Sequence, residues 1–538
     1  EARLRAGVPS AARIAAEHAS QAEPRAFYGV GDQDDAGSAA ASAVAVPVST
    51  GTMAGQWVDI DVLALAHVPA GTGAPALQAV GQPANGLATI VSGKVRYTPN
   101  AGFSGKDAFT YSLAGGGKIS TARITVAVTA FSLELPTPLR IRQVSSDAQL
   151  TAAIADCLPG DHIVLNGGPY TLASRTFARS GTAANPIVFR AATPLGVTVK
   201  GASWYVSGSR LIFHGLRFDG GTNIIRAAGF DNIVRRCDFT QWHTQAIRPY
   251  NGHDGTAPGG RWTVDYCSFH DPLPWDVPPG TEPQPSRVCI RARSNGTDNF
   301  PYGWKIRRCH FYNGIAKLGP GYYGQTDFME WPGDGPSHKN LNDAGWLCEY
   351  VLVENHPGKD AVWDLKSGGN TLRYITVLDC PGGRLDNRVW RGNRFEGIWL
   401  ENCGGMDFNS GDHVANGVRM LGGAKLQIIA GSDDTDATSG ANPMFQRARN
   451  VRIIGAQGGS IAVGYKYSTS DLPALNCRIE ANADCQVRTQ TAYGTWATAQ
   501  PGNTLERGTT WSAVPSEPIV TPIKLTTAMV GNTAAWVD

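Results

Sequence analysis

Between Val353 and Arg419 the chain gathers the residue types that move protons and hold anions. Lys366 follows the alternating run Ala361-Val362-Trp363-Asp364-Leu365 and precedes Ser-Gly-Gly-Asn, so it stands where a strand gives way to a turn. A second strand, Thr371 to Cys380, breaks at Pro381-Gly382-Gly383, and Arg384 follows at a comparable point. On successive rungs of a parallel coil the side chains of one face stack ~4.8 Å apart. That spacing would line a lysine and an arginine along one groove, with Asn355, Asp360 and Asp364 beside them. A lysine crowded by cations and partly desolvated gives up its proton more readily and can serve as a general base. A guanidinium grips or donates to an oxyanion. Arg388, Arg391 and Arg419 extend the basic set as candidates for bidentate contacts with carboxylates.

Each of these residues also has a plainer reading. A lone lysine after a strand is ordinarily a solvated surface group. Asp360 and Asp364 share a face with Lys366 in a regular strand, so a salt bridge is as open as a metal site. Asn355, like Asn402 and Asn482, can be a rung in a ladder of stacked asparagines, and Arg388 and Arg391 can cover the outside of a coil.

A repeat must position these residues. From Leu139 onward short β-rich runs recur: RLIFHGLRFDGG, NIVRRCDFTQW, WTVDYCSFHD, WKIRRCHFYNG, CEYVLVENH, LRYITVLDC, RFEGIWLENCGG, NVRIIGAQGG. Where no long loop intervenes they return every roughly 23 to 30 residues, a period typical of solenoids. The pattern x-I-x-x-C-x-F puts a cysteine or asparagine at one inward position on several rungs, as stacked coils with a common core require. The run Asp147 to Cys157 reads as a helix capping the open N-terminal edge. Two long insertions, His270 to Arg287 and Gly314 to Gly345, are placed to shape a groove. Residues 44–131 instead show short alternating strands with turn residues between them, the pattern of a sandwich. The fold expected is therefore all-β. A right-handed parallel β-helix over residues 139–486 follows a small Ig-like β-sandwich (44–131) and a short N-terminal helical segment with linker (1–43). A C-terminal tail (487–538) packs back on the coil.

Composition narrows the possibilities. With 538 residues, 17% charged and a formal charge of +2, the chain shows no basic tail for nucleic acid and no membrane-surface patch, and no apolar run is long enough for membrane insertion. It opens on Glu1 without a basic-then-apolar leader, so a signal peptide is expected to be absent or already removed. Ten cysteines occur without CxxC or zinc-like Cys/His spacing, and most read as buried small hydrophobes, with a Cys477–Cys485 disulfide left open.

Two resemblances follow from particular residues. VRYTPNAGFSGKDAFTYSLAGGG resembles the cadherin-like and immunoglobulin-like modules of bacterial surface and secreted proteins. PGDHIVLNGGPYTL, GTAANPIVFRA and RLIFHGLRF, then the V-E-N strand ending at Asn355, Lys366-Ser367, Arg384, Gly392-Asn393-Arg394-Phe395 and the GVRMLGG segment around Arg419, resemble polysaccharide lyase family 6. That family comprises β-helix enzymes including alginate lyases and chondroitinase B. The resemblance implies Lys366 as base, Arg384 as acid, and a calcium ion on Asn355 with two acids ahead of the lysine. The family's two glutamate positions hold Lys359 and Ala361 here, so Asp360 and Asp364 are the acids at hand, and the family's Leu-Arg-His-Gly has become Gly-Arg-Leu-Asp.

The chemistry implied is β-elimination on a uronic acid. A cation neutralises the C5 carboxylate, a base removes the C5 proton, and the 4-linked oxygen departs. Glu330 and Trp331, in TDFMEWPGDG, are candidates for a sugar subsite, although Trp331 can equally anchor its loop. The partner implied is an acidic polysaccharide met outside the cell, with the module providing attachment to a larger surface or virion assembly. Two other classes stay open. A glycoside hydrolase or tailspike-type depolymerase would use two of Asp360, Asp364, Asp379 and Asp386, and a non-catalytic adhesin would only bind glycan.

Overall fold

The computed structural model describes residues 42–531 apart from internal stretches, the longest being 250–258, 275–286, 293–300, 316–325, 332–343, 431–447, 466–475 and 499–509. The expected N-terminal helix lies outside the described residues, as do Asp360 and Arg388.

Alternating burial along Lys94–Pro99 and Gly105–Gly115 builds the first unit. Val95, Tyr97, Phe109, Tyr111 and Leu113 face inward and are buried, while the residues between them face water. A three-stranded antiparallel sheet (Val58–Ile60, Lys94–Pro99, Gly86–Val91) packs on a five-stranded one. The order of the second sheet is Ala76–Val80, Gly105–Gly115, Lys118–Thr129, Val48–Met53 and, from the far end of the chain, Ile519–Val520.

The second unit is a 28-stranded array whose pairings are parallel except in the hairpin Gln486–Ala492/Thr495–Thr498. Strand Thr371–Asn387 shows how it is made. It pairs behind with Leu347–Glu354 and Ala361–Leu365, and ahead with Arg394–Phe408. Each coil thus contributes to three stacks of strands. The first holds Cys348, Leu372 and Phe395, the second Val353, Val377 and Leu400, and the third Trp363, Leu385 and Met406, all buried.

Like side chains fall above like. Phe218, Phe239, Phe269 and Phe311 stack with ring centroids 4.8 Å apart at each step. Trp262, Trp304 and Trp346 stack at 5.5 and 5.3 Å. Each fully buried aromatic of this kind contributes about 1.5–3 kcal/mol, so the ladders bind coils together that could not fold singly. All ten cysteines are buried thiols, so the Cys477–Cys485 disulfide does not form. Helix Asp147–Asp156, its first turn capped by Ser146 Oγ accepting from Gln149 N–H, buries Leu150, Ala153 and Ile154 against the first coils.

Two corners of the coil matter below. Between the second and third stacks, Gln241, Asp271, Asn313, Asn355, Asp379 and Asn402 all adopt φ between +48° and +56°, a left-handed turn that Asn and Asp tolerate best. Between the first and second stacks the corner residues are Arg236, Tyr266, Arg308, Tyr350 and Tyr374, then Gly397, Gly417 and Gly455. The C-terminal segment runs back along this corner. Asn416 Nδ2 donates to the Pro518 carbonyl, Thr376 Oγ1 to that of Ile523, and Gly531 N–H to that of Arg308. Ile519 enters the sandwich core while Val520 and Leu525 pack on Tyr350 and Tyr374, so this one segment joins the two units.

Candidate active site

On the third stack one outward position per coil forms a row. Register pairs Arg226 with Arg248, Ile247 with Ile290 (which sets Arg248 beside Arg291), and Arg291 with Glu330. It continues from Glu330 to Asp364, Asp386, Asp407 and Gln427. The row faces outward because its neighbours Ile225, Ile247, Ile290, Met329, Trp363, Leu385, Met406 and Leu426 take the buried side of each strand. Three arginines therefore lead into four carboxylates on one face.

The lysine and arginine expected to do chemistry both project on this face, toward acids on different rungs. Lys366 Nζ donates to Glu330 Oε1 at 2.9 Å and lies 3.3 Å from Asp364 Oδ2, with only 8% of its side chain exposed. Arg291 contacts both oxygens of Glu330, so that carboxylate is clamped between a guanidinium and an ammonium. One coil on, Arg384 Nη1 donates to Asp407 Oδ2 at 2.6 Å, and its side chain is 37% exposed. Gln427 Nε2 donates to the other Asp407 oxygen, and Asn409 Nδ2 to Asp386. The two cationic heads thus turn toward one row of acids. Their partners Asp364 and Asp407 stand two rungs apart, ~10 Å, with Asp386 between them.

Behind Lys366 the turn is locked. The Ser367 carbonyl accepts from Asn370 Nδ2 and Asn393 Nδ2, and Asn393 Nδ2 also donates to Asn387 Oδ1. The Asn393 N–H in turn donates to His413 Nδ1. His413 is buried, and desolvation drives its pKa down to about 3, so the ring stays neutral, with Nε2–H directed to Ser410 Oγ.

Other expected site residues are placed elsewhere. Asn355 occupies the left-handed corner ahead of the third stack and is exposed. Arg391 lies in the turn beyond that stack, 3.4 Å from Asp412. Arg419 belongs to the second stack, between Trp399 and Gln457, and donates to Gln457 Oε1 at 3.0 Å. Trp331 closes strand Met329–Trp331 opposite Leu365. The calcium expectation fares poorly on geometry. The carboxylates nearest Lys366 are engaged by its ammonium and by Arg291, Asn355 is not beside them, and no group of three acidic, His or Cys residues among those described is arranged to hold a metal ion. Of the expected ligands, Asp364 is paired with Lys366 and Asp360 lies outside the described residues.

Arg226, Arg248, Arg291 and Asp407 were not identified from sequence. Their signal is positional, one residue past the inward apolar side chain of each third strand, and the unequal sequence lengths between successive third strands break the phase needed to read it.

The chain is all-β, with an outward row of arginines and acids along a stack of parallel strands. Residues 38–127 match the family model described as "Bacterial Ig domain", and residues 144–252 match that described as "Chondroitinase B", which takes in Arg226 and Arg248 but ends before Lys366 and Arg384. The solved PL6 family polysaccharide lyase Pedsa3628 from Pseudopedobacter saltans is similar at 16% identity and a TM-score of 0.53, over 73% of this chain and 99% of that one. The PL6 family alginate lyase AlyGC is similar at 13% identity and 0.50, over 73% and 59%. At such identities the likeness is one of fold. No curated protein matches the chain.

Proposed function

We propose that the array is a right-handed parallel β-helix and that its third face cleaves a uronate-containing polysaccharide by β-elimination. The observation that carries this is the placement of Lys366 and Arg384 on successive third-stack strands, each turned to the same row of acids. Arg226 and Arg248, further along the row, are spaced to take successive uronate carboxylates.

For Lys366 to act as base its ammonium must first lose a proton. Glu330 Oε1, at 2.9 Å, is the acceptor in reach; Arg291 on the same carboxylate and Asp364 beside the ammonium favour the charged forms, so the transfer follows once substrate displaces these ion pairs. The amine then takes the C5 proton, C4=C5 forms as the C4–O4 bond breaks, and Arg384 hydrogen-bonds the departing oxygen, which water protonates. No step here uses a metal. The setting is outside the cell or on a surface, where such polymers are met, with the Ig-like module as spacer or attachment.

The acids Glu330, Asp364, Asp386 and Asp407 support a second reading, a glycoside hydrolase. Carboxylates one rung (~5 Å) and two rungs (~10 Å) apart lie near the separations used by retaining and inverting enzymes. Incubation with alginate, pectate, chondroitin and dermatan, with and without chelator, separates the two. A lyase gives an unsaturated product absorbing in the ultraviolet, and chelator leaves the rate unchanged. New reducing ends without absorbance on every polymer would replace elimination by hydrolysis.

A further inference from the structure

A cavity of about 720 Å³ opens between sandwich, coil and C-terminal segment. Its volume falls within the range of small-ligand sites, about 300–1,000 Å³, which favour domain interfaces. No residue of the third-face row lines it. From the sandwich comes Trp57, 52% exposed, its indole covered by the Arg96 guanidinium at 3.7 Å, while Asp59 holds Arg96 through both oxygens. Lys94, 3.3 Å from Asp61, stands beside it. From the coil comes Trp399, whose Nε1–H donates to Glu401. Lys524 of the C-terminal segment is 5.8 Å from the Trp399 ring centroid and pairs with the same Glu401. Arg419, expected in the groove, points here instead.

Two indoles on opposite units, with Lys94, Arg419 and Lys524 each partly exposed beside an acidic partner, make an aromatic cleft lined by accessible cations. Pyranose rings carry an apolar C–H face that packs on indole. Carboxylates on the same rings would answer the cations, and the lining aspartates would accept sugar hydroxyls. We infer that this cleft is a second, non-catalytic site that grips a uronate-bearing oligosaccharide between sandwich and coil. The choice of uronate rests on the proposed function, whereas the site itself does not.

The test uses the full chain carrying Arg384→Ala to slow turnover, titrated calorimetrically with hexamers of mannuronate, galacturonate and neutral maltose units. Two uronate-binding events are expected. Adding Trp57→Ala, a substitution at an exposed position, or Lys94→Ala should weaken one of them about tenfold and leave the other. In the otherwise native enzyme, Trp57→Ala should leave the rate on a trisaccharide unchanged. Undiminished uronate binding by both variants would overturn the cleft, and equal binding of the maltose hexamer would overturn its preference for carboxylates. Absence of an unsaturated product with two binding events retained would sink the lyase reading alone.

Discussion

Lys366 is an ammonium with anionic neighbours and almost no water, and its role turns on where its proton can go. Lys366→Ala should lower kcat by about 10²–10⁴-fold. Lys366→Arg should not restore it, because a guanidinium stays protonated. Both are read from the initial rate of ultraviolet absorbance on the active polymer, alongside a melting curve, since removing one partner leaves Glu330 and Asp364 as buried neighbouring acids. Arg248 is placed to bind rather than to react, so Arg248→Ala should raise KM about tenfold with kcat nearly unchanged. A fall in kcat alone would move Arg248 into the chemistry.

At the scale of the coil, the polar ladder behind Lys366 makes the fold acid-sensitive. His413 is neutral when folded, its pKa held at about 3 by burial, whereas in the unfolded chain it binds a proton below about 6.5. Its contribution to stability is therefore complete above pH 6.5 and is lost as pH falls toward 3, by an amount on the order of 4–5 kcal/mol. Urea midpoints at pH 7, 5 and 4 should drop steeply for the native chain and less steeply for His413→Gln. Equal slopes would remove the histidine from the account. On the neighbouring corner Gly417 has φ +73°, and a Cβ there would lie 1.5 Å from the Val520 carbonyl oxygen. Gly417→Ala should therefore cost about 2–3 kcal/mol by displacing the C-terminal segment, measurable as a lowered urea midpoint.

For the whole molecule, that segment is the joint. Ile519–Val520 extends the sandwich sheet beside Val48 and Ser49, while the residues after it lie along the coil corner. Ending the chain after Glu517 should split a single calorimetric transition into two and abolish any binding in the cleft, while the third-face row stays intact. A single unchanged transition would show that sandwich and coil hold together without the joint.

The stacked parallel strands were legible because a repeat writes its core many times. Phe239, Phe269 and Phe311, with Cys237, Cys267 and Cys309, recur at a fixed offset within each run, whatever the length of sequence between runs. Lys366 was legible as the residue closing its strand, whereas Arg384, expected after a break at Pro381-Gly382-Gly383, lies inside the continuous strand Thr371–Asn387 opposite Ala361, because that strand bends through the corner without ending. What a side chain faces across coils was not. Arg419 looked like a groove arginine, yet outward positions of the second and third stacks have the same local pattern, and only the bend between them separates a groove from the cleft under the sandwich. The arginine row and the joint at Ile519 likewise depend on contacts between residues distant in sequence, and local periodicity carries no information about those.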